Sequence, residues 1–247
     1  MKITILTQFP EMFSAVLGES ILGRAKEKGL VSFDVLNIRD YTKDKHNRTD
    51  DTPFGGGNGM IMTPQPAFDA LKAVGAEGKR VLYMSPRGRM LDKALAEELS
   101  KEEDLVIMCG HYEGIDQRII DAWNMQEVSI GDYILTGGEL PCMVLVDTVV
   151  RLIPGCLSSK ESSLEESVYS GLLEYDQYTK PREYEGLVVP DVLFNGDHEK
   201  IHLWQFENQL RLTKEKRPDL FKAYLEKEKD LSKQEKKILQ KVLEENN

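Results

Sequence analysis

Residues able to do chemistry are concentrated in three stretches. The longest, residues 127–141, reads E-V-S-I-G-D-Y-I-L-T-G-G-E-L-P. Val128, Ile130 and Ile134 stand among Ser129, Gly131, Gly137 and Gly138, a mix too rich in glycine for a helix and too apolar for a free surface loop. Glycine lets a ligand or another backbone approach where a Cβ would intrude. Pro141 suits the first turn of a following helix, where its missing N–H is not needed. The second stretch is Tyr83-Met84-Ser85-Pro86-Arg87-Gly88, after the apolar Val81-Leu82. The third, C-G-H-Y-E-G-I-D at 109–116, follows Leu105-Val106-Ile107-Met108. Each is a short apolar run ending in a glycine-bearing loop, which is where ligands bind in α/β proteins. Taken singly, each also reads as a plain strand-to-helix turn. Three neighbouring strand ends together could build one pocket.

Another pattern points to different chemistry. His198-Glu199-Lys200-Ile201-His202 is a literal H-E-x-x-H, which on a helix puts two zinc ligands on one face with a general base between them. Against a zinc metalloprotease, His198 falls at the start of its helix, and no third-ligand motif follows. Two basic clusters, Arg39/Lys43/Lys45/Arg48 with His46 and Arg211/Lys214/Lys216/Arg217/Lys222, offer local positive surface. Nucleic-acid binding needs only such a local surface, so the net charge of −10 does not exclude it. Either cluster is equally an ordinary solvated face.

The elements that must position these residues alternate between strand and helix. Residues 2–7 read as a strand, with a helix after Pro10 and another from Ser20 to Gly29. Residues 31–38 alternate as a strand. Residues 39–59 read as a long loop, a length that is usually functional. Thr63-Pro64 starts a helix with Ala67, Phe68, Ala70 and Leu71 on its apolar face. Strands at 80–84, 105–109 and 126–130 then alternate with helices at 91–100, 115–123 and 139–153. The order predicts an α/β domain with a mainly parallel sheet covered on both faces. The polar run S-S-K-E-S-S-L-E-E-S after Leu157 predicts a domain boundary. A helical part follows: Asp197 caps a helix through Leu212, Pro218 opens a second, and Ser232-Lys233-Gln234-Glu235 is a capping box for a third.

Composition narrows the class. With 247 residues, 40% apolar and 30% charged, the chain has room for a sizeable core and reads as a globular protein of one large or two modest domains. Its beginning, M-K-I-T-I-L-T-Q-F-P, is too short and polar for a signal peptide, and no apolar run approaches the roughly 20 residues of a membrane span. Cys109, Cys142 and Cys156 are odd in number and lack C-x-x-C spacing, which suits a reducing cytoplasm.

Five long motifs in order give the chain a family resemblance: F-P-E-M-F at 9–13, D-D-T-P-F-G-G-G-N-G-M at 50–60, C-G-H-Y-E-G-I-D at 109–116, S-I-G-D-Y-I-L-T-G-G-E-L-P at 129–141 and R-L-I-P-G at 151–155. The chain resembles the bacterial tRNA (guanine-N1)-methyltransferases of the TrmD type, in the SPOUT superfamily. The resemblance implies a SPOUT fold with a deep trefoil knot over roughly residues 83–140, followed by a small α-helical C-terminal domain. It divides the chain into residues 1–159, a linker at 160–173, and a tRNA-binding domain at 174–247. It implies a cytoplasmic homodimer with tRNA as partner, no DNA and no membrane. The activity implied is transfer of a methyl group from S-adenosyl-L-methionine to N1 of guanine 37 in tRNA, with Mg²⁺ as a possible assistant and no metal ligand set in view. By resemblance, the methyl donor lies against Tyr83, Ser85, Pro86, Gly88, Gly110, Tyr112, Glu113, Ile130, Gly131, Asp132, Tyr133, Ile134, Leu135, Gly137, Gly138 and Pro141. Arg151 matches the family's catalytic Arg. Where the family has E-D-S-F, this chain has Glu165-Glu166-Ser167-Val168, so Glu166 stands at the position of the catalytic base. Asp50 and Asp51 stand as acceptors for guanine or its neighbour, or as a turn-forming pair. Lys180 replaces the Arg of P-H-Y-T-R-P, within Asp176-Gln177-Tyr178-Thr179-Lys180-Pro181, keeping the charge but not the guanidinium fork. Lys180 and Arg217 are the expected tRNA contacts of the helical part. A catalytically silent RNA-binding protein remains the alternative if Glu166 cannot act as base.

Overall fold

The computed structural model describes residues 1–157, 170–227 and 230–245. The chain divides into two compact units, Met1–Ser159 and Lys160–Asn247. The first is built on a five-stranded sheet of β1 (Lys2–Thr7), β2 (Ser32–Asn37), β5 (Arg80–Met90), β6 (Asp104–Met108) and β7 (Gln126–Ser129). Their spatial order is β2-β1-β6-β5-β7, and every pairing is parallel. Two two-residue strands, β3 (Asp50–Asp51) and β4 (Ile61–Met62), pair antiparallel beside it.

Strand side chains alternate between faces, and the burial follows that period of two. Ile3 and Ile5 of β1, Leu82 and Met84 of β5, and Leu105 and Ile107 of β6 enter one core cluster. It is covered by α1 (Ser14–Gly18), α2 (Ser20–Glu27), α4 (Lys93–Leu99) and α6 (Glu139–Val150), through Leu17, Leu22, Leu95, Leu99, Leu145 and Val149. The intervening Leu6, Val81, Tyr83, Val106 and Met108 face a second cluster under α3 (Pro64–Ala73) and α5 (Gln117–Ala122). Burial on both faces explains why these strands read as nearly continuous apolar runs.

Several elements depart from the sequence expectation. The segment after Pro10 is a 3-10 turn over Pro10–Phe13 before α1 begins. α6 stops at Val150 rather than 153. Strand β5 runs on to Met90, so Ser85-Pro86-Arg87-Gly88 lies inside it. The register against β7 shifts between Met84 and Arg89, a bulge that accommodates Pro86.

The second unit has its own core, with Leu172, Phe206, Leu210, Phe221, Tyr224 and Val242 buried together. It contains α7 (His198–Lys216), α8 (Pro218–Leu225) and α9 (Lys233–Glu244). Asp197 caps α7, and the Ser232/Glu235 capping box is fully formed at α9. α7 runs four residues past the expected Leu212, until Pro218 prevents continuation. A hairpin of β8 (Glu183–Tyr184) and β9 (Leu187–Val188) precedes α7 and was not foreseen in a helical part. Leu172 is buried in this core, and the Leu173 amide donates to Thr213 Oγ1 at 2.8 Å, so the chain has joined the helical unit before residue 174.

Gly88 marks the closest approach of β5 to β7. A Cβ there would lie 2.3 Å from both Glu127 C and Val128 N, and backbone atoms cannot yield as a flexible side chain can. Gly88→Ala should lower stability by about 1–3 kcal/mol or more in urea unfolding. Gly18→Ala, with nothing within 4 Å of its Cβ position, should be neutral or slightly stabilising. Equal midpoints for the two variants would contradict this packing.

Candidate functional site

The bulged middle of β5 and the ends of β6 and β7 meet around a cleft of about 620 Å³. That lies in the range of small-molecule sites, about 300–1,000 Å³. Tyr83, Ser85 and Pro86 come from β5. Gly110, Tyr112 and Glu113 follow β6. Ile130, Gly131, Tyr133, Ile134, Leu135 and Gly137 follow β7, and Pro141 stands in the first turn of α6.

Backbone contacts join the loops after β6 and β7. The Gly138 amide donates to Gly110 O at 2.8 Å, and His111 and Gly137 form an isolated antiparallel bridge. A Cβ on Gly138 would come within 2.9 Å of Cys109 Cα. Gly88, Asp132 and Gly138, expected against the methyl donor, are not among the residues lining the cleft; Gly88 and Gly138 instead permit close backbone contacts.

The floor is Tyr83, 7% exposed. Burial, with Glu127 nearby, pushes its phenol up to about 12, although the Arg87 charge and then a hydrogen bond from the Ile115 amide partly offset this. Gly110 and Gly114 lie over this ring; a Cβ on Gly110 would sit 2.8 Å from the Tyr83 hydroxyl. Tyr112 between them is held at φ +55, an uncommon conformation for a bulky residue, and is about half exposed. Such strain tends to persist where the surroundings enforce it.

The opposite wall is apolar and open. Leu135 is 38% exposed and Ile134 81%. The Cβ position of Gly131 lies 2.3 Å from Tyr133 Cε1, so a side chain there would displace that ring. The missing side chain thus leaves space for the Tyr133 ring, while Gly131 itself lines the cleft.

Several lining residues were not singled out in the sequence. Arg87 forms a two-pronged pair with Glu127, with Nη2 to Oε1 at 3.1 Å and Nε to Oε2 at 3.2 Å, and also donates to Gln117. His111 lies between Phe9 and Tyr112, at ring distances of 4.9 and 5.0 Å. Its Nδ1 is buried and has no hydrogen-bond partner among the described residues. His111 also faces a second cavity, of about 270 Å³, with Phe9, Met12, Glu139 and Leu140. Glu139 is buried there and accepts from Thr7 Oγ1 at 2.8 Å. His111 and Arg87 lie within the quoted motifs, but spacing gave no reason to choose them over their neighbours. Pro53 and Phe54 reach the cleft from the glycine-rich segment after β3, and Ile61 from β4.

The remaining expected site residues lie elsewhere. Asp50 and Asp51 form β3, and Asp51 Oδ1 accepts its neighbour's Thr52 amide at 2.7 Å, as in a turn. Arg151 ends α6 as its C-cap. Glu165 and Glu166 lie outside the described residues. In the second unit Lys180 is exposed, and Arg217 pairs with Asp219 at 2.5 Å. His202, the second His of the H-E-x-x-H pattern, lies 3.1 Å from Glu235 Oε1. Among the described residues no group of three His, Cys, Asp or Glu side chains could hold a metal ion. No described helix is long and apolar enough to cross a membrane.

A parallel α/β sheet with a bare-backbone cleft at its strand ends defines a small-molecule-binding α/β protein. The profile described as "tRNA (Guanine-1)-methyltransferase TrmD" matches residues 1–223, and the chain belongs to that family. A Ruminiclostridium cellulolyticum protein named tRNA (guanine-N(1)-)-methyltransferase is 57% identical over 224 residues, covering 90% of this chain and 96% of the relative. A protein of the same name from Clostridium perfringens strain 13 is 52% identical over 240 residues, covering 97% and 99%. Another from Clostridioides difficile strain 630 is 49% identical over 231 residues, covering 92% and 100%. The zinc-protease alternative does not survive this membership, and His202 is engaged by the Glu of the α9 capping box.

Tyr83 supplies a pH test. Above pH 10 the unfolded chain releases the phenol proton while the folded chain keeps it, so stability falls as pH rises toward about 12. Wild type should lose up to about 2–3 kcal/mol over that interval relative to Tyr83→Phe in denaturant unfolding. Parallel pH profiles would show that the phenol is not shielded.

Proposed function

We propose that the protein transfers the methyl group of S-adenosyl-L-methionine to N1 of guanine 37 in tRNA. The observation that carries this is the convergence of the β5 bulge and the glycine-bearing loops after β6 and β7 on one cleft, in a chain of the TrmD family. The residues fit the methyl donor. Leu135, Ile130 and Pro141 offer apolar surface for an adenine ring, and the backbone of Gly110 and Gly137 lines the cleft beside them. When bound, the donor supplies an electrophilic methyl group on a sulfonium.

The chain's own residues prepare the nucleophile. N1 of neutral guanine carries a proton and must lose it to attack, which calls for a general base. The Glu166 carboxylate takes that proton, and the Arg151 guanidinium stabilises the negative charge developing toward O6. Glu carries the same carboxylate as the family's Asp on one further methylene. Asp50, Asp51, Lys180 and Arg217 contact the tRNA. The finer fold reading, a trefoil knot involving roughly residues 83–140 and a C-terminal tRNA-binding domain, belongs to the same proposal, with Mg²⁺ as a possible assistant and the cytoplasm as location.

The working unit is proposed to be a homodimer. Met12, Val16, Leu140 and Val144 are 44%, 38%, 48% and 47% exposed. Leu140 and Val144 share a face of α6, and the 3-10 turn carrying Met12 packs against that helix. Apolar exposure of this kind supports a partner surface. If one site uses residues from both subunits, mixing Arg151→Ala with Gly131→Val protein should restore part of the activity each has lost. A monomer by light scattering at working concentration would end the proposal.

The activity is tested with labelled S-adenosyl-L-methionine and unmodified tRNA, followed by nucleoside analysis; 1-methylguanosine is the expected product. Calorimetry should show donor binding by wild type and none by Gly131→Val. Glu166→Gln should slow single-turnover methyl transfer by roughly 10²–10⁴-fold, with donor binding kept and partial rescue at higher pH. Glu165→Gln is the control. If it alone is crippled, the base is one residue earlier. If both variants turn over normally, no carboxylate of this pair is the base.

A further inference from the structure

Phe54 is fully exposed, at 101% of its reference surface, and lines the mouth of the cleft beside Pro53. An aromatic ring left wholly in water forgoes about 1.5–3 kcal/mol of possible burial. Its segment is built to hold it out. Gly55, Gly56, Gly57 and Gly59 have φ of +86, +79, +128 and +87, a region that side chains other than glycine's rarely adopt. At Gly55 and Gly56 a Cβ would meet nothing within 4 Å, so backbone conformation rather than crowding selects glycine there.

The roots of the segment are fixed where the tip is not. The Glu113 amide donates to Met60 O at 3.1 Å, the Met62 amide to Gly114 O at 3.0 Å, and the Asp116 amide to Met62 O at 3.0 Å. A Cβ on Gly59 would come within 2.5 Å of the Glu113 side chain. The ring is thus carried on a stem bolted to the loop that lines the cleft's floor.

Charge does not explain what the segment binds. Residues 39–60 contain four Lys or Arg (Arg39, Lys43, Lys45, Arg48) and four acids (Asp40, Asp44, Asp50, Asp51). Arg48 is committed to Asp44, and Lys43 to Asp69. With its charges balanced, the loop offers RNA little attraction for phosphate. What it does offer is an unpartnered π face. Proteins hold splayed-out RNA bases chiefly by stacking them on such rings.

We propose that Phe54 is a base-binding residue of the RNA site, stacking on an unpaired base of the substrate at the mouth of the cleft. The inference rests on the tRNA-methylation reading and adds a substrate contact to it. Through the Met60–Glu113 and Met62–Gly114 bonds, RNA seated on the ring bears directly on the cleft loop.

The test measures the affinity of unmodified tRNA in the presence of S-adenosylhomocysteine for wild type, Phe54→Ala, Phe54→Leu and Phe54→Trp. Substitution at this exposed position leaves the core untouched, and unfolding midpoints check it directly. Stacking predicts roughly 5- to 150-fold weaker tRNA binding for both Ala and Leu, near-wild-type binding for Trp, and unchanged S-adenosylhomocysteine affinity without RNA. Leu binding as wild type would replace stacking with simple apolar contact and overturn the proposal. So would Ala binding tRNA normally, or a loss confined to S-adenosylhomocysteine affinity, which would make Phe54 a cover for the donor. A wild type that fails to methylate tRNA strikes the activity reading instead, and the tRNA affinities still decide the role of Phe54.

Discussion

The site depends on one short backbone contact. The Gly138 amide reaches Gly110 O at 2.8 Å, and that approach leaves a Cβ of residue 138 no more than 2.9 Å from Cys109 Cα. Only glycine allows the chain leaving β7 to return against the end of β6 at that distance. The bond also sets where α6 begins, because Gly138 is the residue before its first turn. α6 then lays Cys142, Leu145, Val146 and Val149 onto the sheet, and all four are fully buried. A local contact between two glycines is thus held by the packing of a whole helix. The cleft inherits that rigidity.

The same arrangement separates two tasks. Inside, the cleft is made from bare backbone, a shielded phenol and apolar side chains, which suit a bound small molecule of mixed polarity. Outside, the 39–60 segment carries equal numbers of basic and acidic residues and a fully exposed Phe54 ring beside a run of glycines. The two are joined by the backbone bonds of residues 60–62 to 113–116. Under the proposed reading, positioning RNA relative to the donor needs no large rearrangement of the sheet. Fixed geometry of that kind is how a site gains from proximity rather than from strong binding alone.

Much of this was legible in the sequence because the physics involved is local. Period-two burial in β1, β5 and β6 showed as apolar runs, and the Ser232/Glu235 box showed as its own spacing. The three strand ends were visible through their glycines. What stayed hidden depended on contacts between distant residues. Nothing near Gly88 says that its missing Cβ makes room for β7, 40 residues on, rather than for a ligand. The bulge that carries β5 through Pro86 to Met90 exists only because β7 re-pairs with Arg89 and Met90. The motif containing Gly131 was visible, but not that Tyr133 fills the space beside it. His111 and Phe54 stood in quoted motifs, yet burial of one and full exposure of the other are tertiary facts. The short β8–β9 hairpin has too few residues to announce itself by pattern.

The central claim is that the bulged middle of β5 and the loops after β6 and β7, the latter two joined through Gly110 and Gly138, form one donor-binding unit. Amide hydrogen exchange with and without S-adenosyl-L-methionine tests it most directly. The account predicts slow exchange at the Gly138 amide in the free protein. It also predicts that added donor increases protection together in residues 83–88, 109–114 and 130–138. Fast exchange at Gly138 with donor-induced protection confined to one loop, or found elsewhere in the chain, would contradict it.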